Sequence, residues 1–258
     1  MSSGEANVVL YEVADAIATI TLNRPHRLNA MTDALVDGVG TALERALAAP
    51  EIRAILMKGA GRAFCAGDDL KEFEGQIRSP EGTHRYLSRI QETARLMVLG
   101  EKPIVAAAHG WAAGGGLEWL INADFVVMAE GTRCFFPEVA LGFIVTGGIT
   151  ALLPRIVGLS RAKALIMLSE TFTAKEAEAM GLVWRLVPEA QVFDEALALA
   201  KRLAALPAKA VADVKRVMNR AATIGFEATL EIERDVVYQG FLDPETVERV
   251  RRAAPNKK

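Results

Sequence analysis

The chain has 258 residues, 51% of them hydrophobic and 24% charged, with a net charge of −2. At roughly 150 residues per domain this describes one large globular domain or two small ones, and it speaks against disorder. Thirty basic side chains against 32 acidic ones leave no positive field for general nucleic-acid binding. Residues 8–13 and 16–22 are rich in β-formers, with Thr19 and Thr21 alternating against Ile20 and Leu22, and predict an opening hairpin. Thr32 or Asp33 then caps a helix in which Leu35, Val39, Leu43 and Leu47 recur every four residues, until Pro50 stops it. A buried strand at 53–57 leads into a glycine-containing loop over 59–69, a polar stretch to about 83 and a helix over 86–99. A second buried strand at 104–108, a glycine turn at 110–116 entering a helix over 117–121, and a third strand at 125–128 follow. Strands alternating with helices imply an α/β domain with parallel crossovers, and the continuous apolar runs imply a sheet covered on both faces.

From residue 160 onward the pattern is helical almost throughout. Thr173 and Glu176 form a capping box, 183–187 is a last short strand, and helices span about 189–205 and 208–222 with Pro207 between them. The helical end is expected to pack on the α/β core or on a neighbouring subunit. Arg249, Arg251, Arg252, Lys257 and Lys258 read as a solvated basic tail.

Cys65 and Cys134 are too few for a disulfide framework or a zinc site, and His26, His84 and His109 lack metal-ligand spacing, so no metal is expected. The first residues, Met-Ser-Ser-Gly-Glu, do not resemble a signal peptide, and no run reaches the ~18 apolar residues of a membrane span. A cytoplasmic setting without membrane contact is the expectation. Chemistry must then come from elsewhere. Three of the 21 glycines fall in 59–67, four in 110–116 and three in 142–148. Glycine allows close approach of backbone N–H groups to a ligand oxygen, although tight turning alone also explains each window. The second window fits neither the dinucleotide pattern nor a P-loop. Beside these windows stand Glu118 and Glu138, each among apolar neighbours. A carboxylate so placed is costly to ionise, and its raised pKa suits acid/base work near neutral pH; capping a helix or reaching the surface is the structural alternative. No Ser-His-Asp or Cys-His order is visible, and Cys65 and His109 read as structural.

Several blocks resemble the enoyl-CoA hydratase/isomerase, or crotonase, superfamily. They are 23–31 (NRPHRLNAM), 61–71 (GRAFCAGDDLK), 102–118 (KPIVAAAHGWAAGGGLE), 136–142 (FPEVALG) and 174–183 (AKEAEAMGLV). The resemblance implies an α/β fold of the crotonase (ClpP-like) type, a β-β-α superhelix with a helical C-terminal region. Residues 1–200 would be the catalytic core, and 201–258 would serve oligomerisation and cover the active site. It implies an oxyanion hole made by the backbone N–H groups of Asp68 and Gly115, with Glu118 and Glu138 on the two positions that hydratases of this family fill with glutamate. His26, Leu28, Ala66, Asp68, Asp69, Leu70, Lys71 and Gly115 would line the coenzyme A and substrate groove. Coenzyme A would enter as part of an acyl-CoA substrate, with no permanently bound cofactor, and the chain would form homo-oligomers, trimers or hexamers.

The function implied is hydration of a 2-enoyl-CoA to a 3-hydroxyacyl-CoA. Double-bond isomerisation or another thioester reaction is the alternative within the family, and a non-catalytic binding subunit is the alternative outside catalysis. Departures from the family pattern cluster after Gly142. Val145, Thr146 and Ile149 replace a proline and two glycines of a loop whose N–H, here that of Thr146, helps place the water. Trp111 and Trp119 either pack or narrow the acyl pocket. The 74–83 stretch is expected over that pocket, and 243–258 lacks the family's usual ending.

Overall fold

A computed structural model describes residues 7–70 and 80–221. β1 (Val9–Ala14) and β2 (Ile17–Leu22) form the antiparallel hairpin, and parallel strands β3 (Ala54–Gly59), β4 (Ile104–Ala108), β6 (Phe125–Ala129) and β9 (Arg185–Val187) extend it in the order β1-β2-β3-β4-β6-β9. Alternate residues of the parallel strands serve two apolar layers. Ile55, Met57, Ala106 and Met128 face one layer with Leu35, Val39 and Leu43 of α1 (Asp33–Ala48). Leu56, Val105, Ala107 and Val127 face the other, closed by Val192, Ala196 and Leu199 of α7 (Val192–Ala204). Burial on both faces is why these strands read as unbroken apolar runs. The helical end accordingly packs on the α/β core.

Two capping predictions hold at the level of atoms. Thr32 Oγ1 accepts from Leu35 N at 3.2 Å to start α1. Thr173 and Glu176 exchange backbone and side-chain bonds to start α6 (Ala174–Ala179).

The glycine turn at 110–116 is partly a strand, which corrects the sequence reading. β5 (Trp111–Ala113), β7 (Arg133–Phe135) and β8 (Phe172–Thr173) make a second, three-stranded sheet in the order β5-β7-β8. Strands of two or three residues are too short to show a period of two. The chain also forms α2 (Pro80–Leu99), α3 (Gly115–Asn122), α4 (Ile149–Val157) and α5 (Leu159–Leu168). The strand expected from 183 starts at Arg185, and a 3-10 turn, Glu189–Gln191, precedes α7.

The last described helix, α8 (Ala208–Ala221), is bolted to this body by a buried lysine. Lys215 Nζ donates to Met97 O at 2.7 Å, Lys102 O at 2.9 Å and Asp124 Oδ2 at 2.8 Å. Asp124 Oδ2 also accepts Ile104 N at 2.7 Å, so one carboxylate joins the helix to the start of β4. Among the described residues no helix is long and apolar enough to cross a membrane. The basic tail and the C-terminal part of the 201–258 region lie outside the described residues.

Candidate active site

Two backbone segments meet beside the second sheet. After β3 the chain runs out to Cys65, which pairs with β5: Cys65 N donates to Trp111 O at 3.1 Å, and Ala113 N to Cys65 O at 3.0 Å. Both segments then turn through glycine. Gly67 has φ +84°, and a Cβ there would lie 3.0 Å from Ala113 O; Gly114 has φ +50°, and a Cβ there would lie 2.9 Å from Glu138 Oε1. Only glycine meets both demands, a left-handed backbone and a neighbour this close.

The first segment is held from behind by the 23–31 block. Asn29, fully buried, donates from Nδ2 to Ala60 O, Ala63 O and Phe64 O at 2.8–3.1 Å and accepts Arg24 N at 2.8 Å. Ala66 N donates to Leu28 O, Met31 N to Gly67 O, and Asp69 N to Met31 O. Arg24 Nη1 bonds Asp69 Oδ2 at 3.1 Å, with both side chains buried. The N–H groups of Phe64, Cys65, Ala66 and Asp69 are thus engaged, whereas those of Asp68 and of Gly115, the first residue of α3, donate to no acceptor among the described residues. An unengaged N–H at a loop crossing and another at a helix start are what an incoming anionic oxygen requires.

Two carboxylates border the same crossing. Glu118, one turn into α3 and only 3% exposed, accepts Thr146 N on Oε1 at 3.2 Å and Gly147 N on Oε2. Burial raises its pKa, the two backbone bonds pull it down, and the Asp68 charge adds to the rise. Glu138 heads a 3-10 turn, Val139–Leu141, and its Oε2 is buried with no partner among the described residues. Burial, reinforced by the charges of Glu118 and Asp68, pushes its pKa up to about 7. One carboxylate is therefore supported by donors in its ionised form, and the other is poised to hold a proton near neutrality.

The structure brings Glu118, Glu138, Asp68, Gly115 and Thr146 together. The Thr146 N–H, expected to place a water, is instead donated to Glu118 Oε1. Pro25–Arg27 forms a 3-10 turn with His26 exposed, and the bond from Ala66 to Leu28 keeps this turn beside the first loop. Leu70 is 55% exposed, whereas Asp69 is buried with its carboxylate turned inward to Arg24. Lys71 and most of the 74–83 stretch lie outside the described residues. Trp119 is buried in the main apolar layer; Trp111 is 41% exposed and stacks edge-on against Phe135 with centroids 6.1 Å apart. Cys65 and Cys134 are buried thiols whose pKa is pushed up to about 12, mainly by burial, which makes both poor nucleophiles.

Sequence reasoning missed three residues here. Tyr86 on α2 donates to Asp68 Oδ1 at 2.6 Å. Gly147 supplies the second donor to Glu118. Asn122 donates from Nδ2 to Gly147 O at 3.1 Å. For Asn122 a signal existed: it is the one amide in the otherwise apolar run Trp-Leu-Ile-Asn that follows Glu118. A cavity of about 730 Å³ between α3, α4 and α8 includes Asn122 but neither glutamate, and it is separate from this site.

Comparison with known proteins supplies the family context. Residues 12–250 match the model of the enoyl-CoA hydratase/isomerase family. The chain is 32% identical to the 1,2-epoxyphenylacetyl-CoA isomerase of Escherichia coli over 88% of its own length and 87% of that protein. It is 29% identical to the mitochondrial enoyl-CoA hydratase of Pongo abelii, over 88% of this chain and 77% of that one. The enoyl-CoA hydratase structure from Bacillus anthracis superposes with a TM-score of 0.88 at 29% identity, covering 94% of each chain.

Proposed function

Because the chain belongs to the enoyl-CoA hydratase/isomerase family and has its crotonase fold, we propose that this acyl-CoA enzyme hydrates a 2-enoyl-CoA to the 3-hydroxyacyl-CoA. The observation that carries the reading is the pairing of two unengaged N–H groups, on Asp68 and Gly115, with two differently tuned carboxylates around one loop crossing. The thioester oxygen accepts from both N–H groups. As water adds at Cβ, charge gathers on that oxygen as an enolate, and the N-terminal dipole of α3 favours it along with the two donors. Each preorganised donor of this kind is worth about 3–4 kcal/mol of barrier.

The roles of the glutamates follow from their surroundings. Glu118, held by Thr146 N and Gly147 N, is the base that takes a proton from the attacking water. Glu138, with an unpartnered oxygen and a raised pKa, is the acid that gives its proton to Cα. Proton return between the two carboxylates then resets the site. The 3-10 turn with His26 and the backbone of Ala66 through Leu70 form the groove for coenzyme A. Exposed apolar side chains at Phe143, Ile144, Leu159, Met167 and Leu168 offer the contact surface for a trimer or hexamer.

Purified protein mixed with crotonyl-CoA should bleach the conjugated-thioester absorbance, and Glu118→Gln and Glu138→Gln should each slow this by about 10²–10⁴-fold. Binding of acyl-CoA without turnover of any 2-enoyl or 3-enoyl thioester would end the catalytic reading. Turnover of 3-enoyl thioesters alone, with Glu138→Gln fully active, would move the assignment to isomerisation on Glu118.

A further inference from the structure

We propose that Asn122 is a positioning residue that sets Glu118 by clamping the loop that holds it. Asn122 lies one turn after Glu118 on α3, so the two side chains leave the helix on the same side. Both reach the same loop. Glu118 accepts from Thr146 N and Gly147 N, and Asn122 Nδ2 donates to Gly147 O at 3.1 Å. The peptide unit on each side of Gly147 is therefore tied to α3, one through its N–H and the other through its carbonyl. A Cβ at Gly147 would come 3.4 Å from Asn122 Nδ2, which places the amide against the loop backbone.

Two further observations separate this contact from ordinary packing. Asn122 is 4% exposed, and its Oδ1 is buried without a partner among the described residues. An amide whose oxygen goes unmatched is a poor choice for stability, since leucine would fill the volume with no orphaned acceptor. Secondly, this is the stretch where Val145, Thr146 and Ile149 depart from the family's glycine-rich loop. A loop with no proline to stiffen it gains from another tie on its backbone, and the amide on the facing helix supplies one.

The inference rests on the hydratase reading, with Glu118 as the base that must be ionised. Charges that face Glu118 come from Asp68 on the first loop, itself bonded by Tyr86 of α2, and from Glu138 after β7. None of these is touched by a change at Asn122. Loosening the loop weakens the two donors that favour the Glu118 anion, so more alkaline conditions are needed to ionise it.

The test compares wild type, Asn122→Leu, Glu118→Gln and the double variant by kcat, KM and pH–rate profile on crotonyl-CoA. Asn122→Leu should lower kcat about 10- to 100-fold with KM little changed, and should shift the acidic limb of the profile to higher pH. In the Glu118→Gln background the same change should cost nothing more. Asn122→Ser, which removes the long amide without adding bulk, keeps the question open to measurement if the leucine variant does not fold. Wild-type kcat and an unmoved acidic limb in a folded Asn122 variant would overturn the clamp while leaving the hydratase reading intact. An inactive wild type would overturn the hydratase reading, and the clamp with it.

Discussion

Replacing Glu138 with glutamine should make the folded protein more stable above neutral pH while removing its activity. In the native state this carboxyl holds its proton up to about pH 7, against an ordinary value of 4.5 in the unfolded chain. Between those two values the folded protein binds one more proton than the unfolded one, so stability falls as pH rises through the window and stays low above it. The full shift corresponds to about 3 kcal/mol at 1.36 kcal/mol per unit. Glu138 is half-buried, and solvent screening reduces the contribution to about 2 kcal/mol. For a chain of this size that amounts to about 4–8 °C in Tm. Glutamine has nearly the same shape and no proton to lose. Thermal melts of wild type and Glu138→Gln at about pH 5 and about pH 8 therefore form the assay. Subtracting one from the other cancels the raised carboxyl of Asp124, which both proteins share. The variant should gain on wild type at the higher pH by the stated amount. Parallel melting behaviour at both pH values would show that Glu138 titrates normally and would remove the physical basis for its role as the acid.

Gly114→Ala should cost about 1–3 kcal/mol from its positive φ alone. It should also displace the Glu138 carboxylate, which lies 2.9 Å from the position of the added carbon, so activity should fall further than chemical denaturation shows for stability. Equal modest losses in both would mean that the loop crossing tolerates relaxation. Lys215→Met should destabilise by about 3–5 kcal/mol, because Asp124 would be left near the start of β4 without its cation. Adding Asp124→Asn should recover part of that loss in urea unfolding; no recovery would place the effect in packing rather than charge. Native protein should leave a thiol reagent unreacted at about pH 8, with both cysteines labelled only on unfolding, since both thiols are buried and raised to about 12. Rapid labelling of the native state would contradict their burial.

Five of the six strands of the main sheet were legible because they are long enough, five or six residues, to register as runs. The three-residue β9 was read only within the longer stretch 183–187, and Thr32 and Thr173 announce their helices by side-chain chemistry. The second sheet was not, since Trp111–Ala113, Arg133–Phe135 and Phe172–Thr173 each hold too few residues to show a period. At the candidate site, glycine clustering and two isolated glutamates pointed to loops that the structure brings together. The partners of those groups were a different matter. Tyr86 meets Asp68 across 18 positions, and Gly147 meets Glu118 across 29, and nothing local in the sequence encodes such pairings. The roles of Arg24 and Asn29 were hidden for the same reason, because their value lies in carbonyls and a carboxylate more than 30 residues away.

Hydration of crotonyl-CoA in deuterium oxide, followed by mass spectrometry and NMR of the product, tests the account most directly. Delivery of a proton from Glu138 to Cα while Glu118 activates water at Cβ predicts a 3-hydroxyacyl-CoA with deuterium at Cα and none at Cγ, formed at a rate that collapses in Glu118→Gln and in Glu138→Gln. Deuterium appearing at Cγ without a hydroxyl at Cβ would contradict it, since that pattern belongs to proton shuttling along the acyl chain by a single carboxylate.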